Sequence, residues 1–177
     1  MNFLSPMRPG ISLPPLDEFT GELPPGWCYQ CKVDDHRGML SPGGTLYNRH
    51  GGLIADHKQR VFAPAIAEVR RLFPDQWVDL ALMGYRTGTD HGKIVVLDLP
   101  DVAKGYVERW KIIQRPLPSW DSASSQLVCC LLLYDAAWAW KVAKRTPSSE
   151  GIIGRNPGSL YESGDSKNML KSKWRKE

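Results

Sequence analysis

The longest apolar run in this 177-residue chain is Leu127 to Tyr134, eight residues, and 14 prolines and 16 glycines divide the remainder into short pieces. A membrane-spanning helix needs about 20 apolar residues, so none is expected here. Eight apolar residues in a row fit a strand covered on both faces, and Ser125–Leu133 is predicted as one. Around it the pattern alternates between strand and helix. Trp27–Asp34 predicts a first strand. Gly38–Gly44 predicts a turn into a second strand at Thr45–Asn48. Pro64 followed by Ile66, Val69, Arg70 and Phe73 predicts a helix over about 64–73, with the proline in its first turn. Trp77–Met83 and Lys93–Leu99 predict a hairpin across the glycine-bearing turn Arg86–Gly92. Pro100-Asp101 predicts the opening of a helix to Gln114, with Val102, Tyr106, Trp110 and Ile113 on one side. Asp135 predicts the cap of a helix to Lys144, and Ile152–Arg155 and Leu170–Trp174 predict the last strands. Residues 1–26, with prolines at 6, 9, 14, 15, 24 and 25, predict a lead segment draped over a domain of residues 27–177. The expected class is α+β, built on antiparallel sheets flanked by helices.

The net charge of +4 is mild, but five basic residues stand against one acid between Ser166 and Glu177, an excess suited to phosphates or to a solvated tail. One early arginine and the prolines do not make a secretory signal, which leaves the cytoplasm as the expected compartment. Cys28/Cys31 and Cys129/Cys130 are two pairs whose members point to opposite strand faces. They read as buried free thiols rather than as a zinc site.

Lys32, Asp34 and His36 alternate in Lys32-Val33-Asp34-Asp35-His36-Arg37, so a strand would show all three on one face. A lysine there needs either water or a partner, because burying an isolated ammonium is costly. Downstream lie Glu150-Gly151-Ile152-Ile153-Gly154-Arg155 and Leu170-Lys171-Ser172-Lys173. Together with the lead-in Arg8-Pro9 and Trp27-Cys28-Tyr29, and with Leu46-Tyr47-Asn48-Arg49-His50-Gly51, this order resembles the nucleotidyltransferase motifs of ATP-dependent DNA ligases: KxDGxR, a serine or tyrosine with arginine and glycine, EGxxxR/K, and LKxK.

The resemblance implies a nucleotidyltransferase (ATP-grasp-like) adenylation domain using ATP and Mg²⁺. Lys32 would attack the α-phosphate and carry AMP. Asp34, Arg37 and Arg49 would serve the nucleotide or a DNA 5′-phosphate, and Ile152 would wall the adenine. Lys171 and Lys173 would hold the α-phosphate, and Glu150 would bind the metal. The partner implied is nicked DNA, or RNA if the chain is an RNA ligase. Three departures accompany the match. Asp35 replaces a glycine and should raise the Lys32 pKa. The ribose-contacting DGE motif falls on Met83-Gly84-Tyr85, and the adenine-stacking aromatic falls near Leu97. The sequence stops four residues past Lys173, and no segment reads as the OB-fold domain that follows in the family. A separate OB-fold or DNA-binding partner, or a catalytically inactive nucleotide- or DNA-binding remnant, are the corresponding alternatives.

Overall fold

The computed structural model describes residues 3–84, 90–120 and 125–174. Two sheets face one another. The first has the order β1-β9-β8-β2, from strands Met7–Leu13 (β1), Cys28–Val33 (β2), Ser149–Arg155 (β8) and Gly164–Lys173 (β9). The second has the order β4-β3-β5-β6-β7, from His36–Leu40 (β3), Leu46–Asn48 (β4), Val78–Leu82 (β5), Ile94–Asp98 (β6) and Leu127–Cys129 (β7). Helices α1 (Asp56–Leu72), α2 (Tyr106–Gln114) and α3 (Ala136–Arg145) complete the α+β fold. Pairing is antiparallel except for β1 with β9 and β6 with β7.

Alternation sorts the second sheet's side chains. Leu80, Leu82, Ile94 and Val96 join Phe62, Val69 and Ile113 of α1 and α2 in one core. The opposite face, with Ala81, Val95 and Leu97, packs toward Cys31 and Val33 of the first sheet. Helix α3 covers the first sheet's outer side, where Trp140, Ala143 and Ile152 are buried together. Asp135 caps α3 as its residue type predicts: the Trp138 N–H donates to Asp135 Oδ1 at 2.8 Å. Asp135→Ala is expected to cost about 1 kcal/mol, and Asp135→Asn to keep most of it, in urea denaturation. Equal midpoints for the parent and Asp135→Ala would show that the cap contributes nothing.

Several elements differ from expectation, each for a physical reason. The lead does not simply drape: Met7–Leu13 is an edge strand paired with β9, where a missing proline N–H is tolerated. Its Gly10 lies against the Ser166 carbonyl, too close for a Cβ. The Gly38–Gly44 turn is shorter, because His36–Leu40 pairs with β5. Helix α1 begins at Asp56 and carries Pro64 in its interior. Phe62, Ala65 and Val69 keep one buried stripe running through the proline, so packing outweighs the lost backbone bond. Helix α2 starts at Tyr106 rather than at 100–101, since Asp101 instead accepts the Trp77 N–H at 2.9 Å. The apolar run splits between sheets. Leu127–Cys129 pairs with β6, and Leu133 then bridges to Tyr29 of β2. Much of the expected Arg86–Gly92 turn lies outside the described residues. Among those described, no helix is long and apolar enough to cross a membrane.

Candidate active site

The gap between the two sheets is a cleft of about 840 Å³, and the segment Lys32–Arg37 crosses it from β2 to β3. The pairing of β2 with β8 shifts register between Cys31 and Val33. Such an irregularity re-aims a side chain, and here Lys32 Nζ meets Glu150 Oε1. Glu150 holds a second ammonium, Lys173 Nζ, at 2.8 Å from the same oxygen. Gly151 makes this possible. Its φ is +150°, and a Cβ there would strike the Ser172 carbonyl, so glycine lets β9 lie close and set Lys173 beside the carboxylate. Two lysines from distant parts of the chain, Lys32 and Lys173, thus converge on one oxygen of Glu150.

The Lys32 side chain is 19% exposed and Glu150 only 7%. Burial lowers the Lys32 pKa and outweighs the opposing pull of the Glu150 hydrogen bond and charge. Lys173 pushes the same way as burial, and Asp34 opposes it. Asp35 is held by backbone groups. Its side chain is turned back onto the chain, where Oδ2 accepts from the Gly84 N–H at 2.6 Å and Oδ1 from the His36 N–H at 2.8 Å. Gly84 sits at φ +100° against His91, in a hairpin end that Asp35 pins.

Of the residues predicted from sequence, Lys32, Arg37, Arg49, Glu150, Lys171 and Lys173 line this one cleft. Arg37 is held by a two-point pair with Asp79, Nε to Oδ1 at 2.8 Å. Arg49 is exposed on the turn after β4, its Nε donating to His50 Nε2 at 2.9 Å. Two expectations need correction. Ile152 is fully buried against α3 on the far side of the sheet, and its neighbour Ile153 lines the cleft. Asp34 is 4% exposed and is absent from the cleft wall; its N–H donates to the Ser148 carbonyl and its charge acts on Lys32 from behind. The glutamate position expected at Tyr85 lies outside the described residues. Where β5 does meet the cleft it presents Ala81, directly opposite Arg37. Leu97 lines the cleft as an apolar residue.

Sequence reasoning gave no role to Gln30 or Arg155, both in the wall. Gln30 accepts from the Tyr106 hydroxyl and donates from Nε2 to the Cys130 carbonyl at 3.3 Å. Arg155 lies over the Tyr106 ring at 4.3 Å and donates from an Nη to Asp98 Oδ2 at 2.8 Å. The four cysteines are free, as expected, and burial pushes the Cys28 and Cys129 thiols up to about 11. No group of three or more His, Cys, Asp or Glu side chains comes together among the described residues.

The two-sheet α+β fold that carries this cleft is similar to that of solved structures of known proteins. The solved structures it resembles are ligase domains of ATP-dependent DNA ligases. The ligase domain from M. tuberculosis LigD superposes with a TM-score of 0.62 at 19% identity, over 96% of this chain and 59% of that one. Chlorella virus DNA ligase-adenylate gives 0.58 at 15% identity, over 96% and 67%. The ATP-dependent DNA ligase from bacteriophage T7, in complex with ATP, gives 0.56 at 14% identity, over 83% and 61%. The chain therefore spans about three fifths of the length of the LigD ligase domain. No family profile and no curated protein matches the sequence.

Proposed function

We propose that this chain is the adenylation domain of an ATP-dependent polynucleotide ligase, acting on 5′-phosphate ends in nicked DNA. The observation that supports it is the convergence of Lys32, Glu150 and Lys173 on one carboxylate oxygen inside a cleft lined with cations. In the reaction, the neutral Lys32 amine attacks the α-phosphorus of ATP, the bond to the bridging oxygen of pyrophosphate breaks, and AMP remains on Nζ as a phosphoramidate. Burial and Lys173 favour the neutral amine. Lys171 and Lys173 balance charge on the α-phosphate, and Arg37 and Arg49 bind further phosphates of the nucleotide or of the nucleic acid. Asp34 does not line the cleft, and its charge opposes release of the Lys32 proton.

Mg²⁺ is bound in such sites by one or two carboxylates with the rest of its shell from phosphates and water. Glu150 fits that need as a single carboxylate at the phosphate end. The ion would supply charge neutralisation on the triphosphate. Labelled ATP with Mg²⁺ tests the proposal: label on the protein after denaturation supports it. Its absence, with ATP still bound, would leave an inactive nucleotide-binding domain.

Glu150 also makes a prediction about pH. Its charge favours the Lys32 ammonium, so Glu150→Gln removes an anion and lets the proton leave at lower pH. The variant is expected to react more slowly, with the midpoint of its pH–rate curve for label incorporation shifted downward. An upward shift would mean that the carboxylate does not hold the lysine proton.

A further inference from the structure

We infer that the cleft binds ATP and dATP almost equally well, because it recognises phosphates by charge and its described residues present an apolar wall to the sugar. This rests on the function proposed above and narrows its substrate class. Discrimination for a hydroxyl is large, about 10⁴-fold or more, only where a buried polar group is built to bond it and is left unpaired without it. An apolar wall discriminates by about a hundredfold at most.

Each carboxylate and amide side chain among the described lining residues already has a partner on the protein. Among the described lining residues the carboxylates are Asp35, Glu150 and Asp165. Asp35 accepts two backbone N–H groups, Glu150 accepts two ammonium groups, and Asp165 pairs with Arg8 at 3.0 Å. The amide oxygens fare the same: Gln30 Oε1 accepts from Tyr106, and Asn48 Oδ1 accepts from the backbone of His50 and Gly52.

The strands then fix which wall faces the nucleoside. On β8 and β9, Glu150 and Lys173 mark the phosphate end. Ile153 and Lys171, partners in register, come next along the cleft. The same cleft is also lined by Ala81 and Leu97 of the second sheet and by Cys130 just after β7, which offer a methyl, an isobutyl and a buried thiol. Ala81 is the position on β5 where an acidic side chain would reach into the cleft, and it carries none.

Two measurements on the intact chain test this and separate it from the proposal beneath it. Calorimetric titration with ATP and with dATP, each with Mg²⁺, is expected to give Kd values within about threefold. Covalent labelling from the two nucleotides is expected at similar rates. ATP binding more than thirtyfold tighter than dATP overturns the inference while labelling by ATP still upholds the adenylation reading. Equal binding without label from either upholds the sugar inference and sinks the adenylation reading, and no binding of either sinks both. Ala81→Glu places a carboxylate in the wall and is expected to shift the Kd ratio toward ATP by at least tenfold. Where that variant folds, by its melting curve, with the ratio unmoved, the sugar does not lie against Ala81. Leu97→Asn supplies an amide from the adjacent strand as a second probe of the same wall.

Discussion

Lys32→Ala is expected to abolish covalent AMP on this protein, a loss of roughly 10⁶-fold on the scale seen when a catalytic nucleophile is removed. The expectation follows from chemistry that no neighbour can replace. Lys171 and Lys173 are also in the cleft. Lys173 is 42% exposed, however, whereas Lys32 is mostly buried and its pKa is lowered. Lys32→Arg should fail as completely, since a guanidinium retains the charge but offers no neutral amine. Stability should change little, because Glu150 keeps Lys173 after Lys32 is gone. Mass spectrometry of the intact protein after incubation with ATP and Mg²⁺ decides the matter. An adduct retained by Lys32→Ala, or mapped to Lys171 in the parent, would move the nucleophile elsewhere.

Most of that site was legible because its motifs are local strings whose order survives any fold. Lys32, Arg37, Glu150 and the two C-terminal lysines came from the resemblance of their ordered motifs to those of DNA ligases, and all five line one cleft. What sequence could not supply was side-chain direction where regular alternation fails. Ile152 and Ile153 are equivalent as strings, and only the pairing of β8 with β2 and β9 decides that Ile153 faces the cleft and Ile152 faces α3. Asp34 and Asp35 are likewise two carboxylates in a row. Their exchange of roles depends on a register shift after Cys31 and on the Gly84 N–H, contributed from 49 residues downstream. The α+β class was legible from the alternation of segments. The β1 strand was not, since four prolines in its neighbourhood mask a pairing that needs few of its own N–H groups. Pro64 misled in the opposite direction: the local rule placed it at a helix start, and the buried stripe through Phe62, Ala65 and Val69 carried the helix past it.

Asp98→Ala is expected to be the most destabilising single change outside the cleft wall, by about 3–5 kcal/mol. Asp98 is completely buried and answers two guanidinium groups that are buried as well. Arg109 reaches it through Nε to Oδ1 at 2.7 Å and Nη to Oδ2 at 3.1 Å, and Arg155 through Nη to Oδ2 at 2.8 Å. Its register partner across the sheet is Asp79, equally buried and matched by Arg37 and the Tyr161 hydroxyl. Facing carboxylates repel, so the arrangement holds only while each keeps its cations. Three arginines against two aspartates leave one positive charge in excess beneath the cleft. Removing Asp98 would leave Arg109 and Arg155 without their carboxylate in a dry interior, and the Nε of Arg155 already has no partner among the described residues. Against a total stability of about 5–15 kcal/mol for an ordinary domain, that loss would unfold a large share of the molecules at 37 °C. Asp98→Asn keeps the shape and an acceptor, and should recover part of the loss. Guanidinium denaturation of both variants, with the exposed pair member Glu108→Ala as a control, measures the difference. A midpoint for Asp98→Ala no lower than that of Glu108→Ala would show that the buried arginines find other partners, and that the network beneath the cleft does not hold the two sheets together.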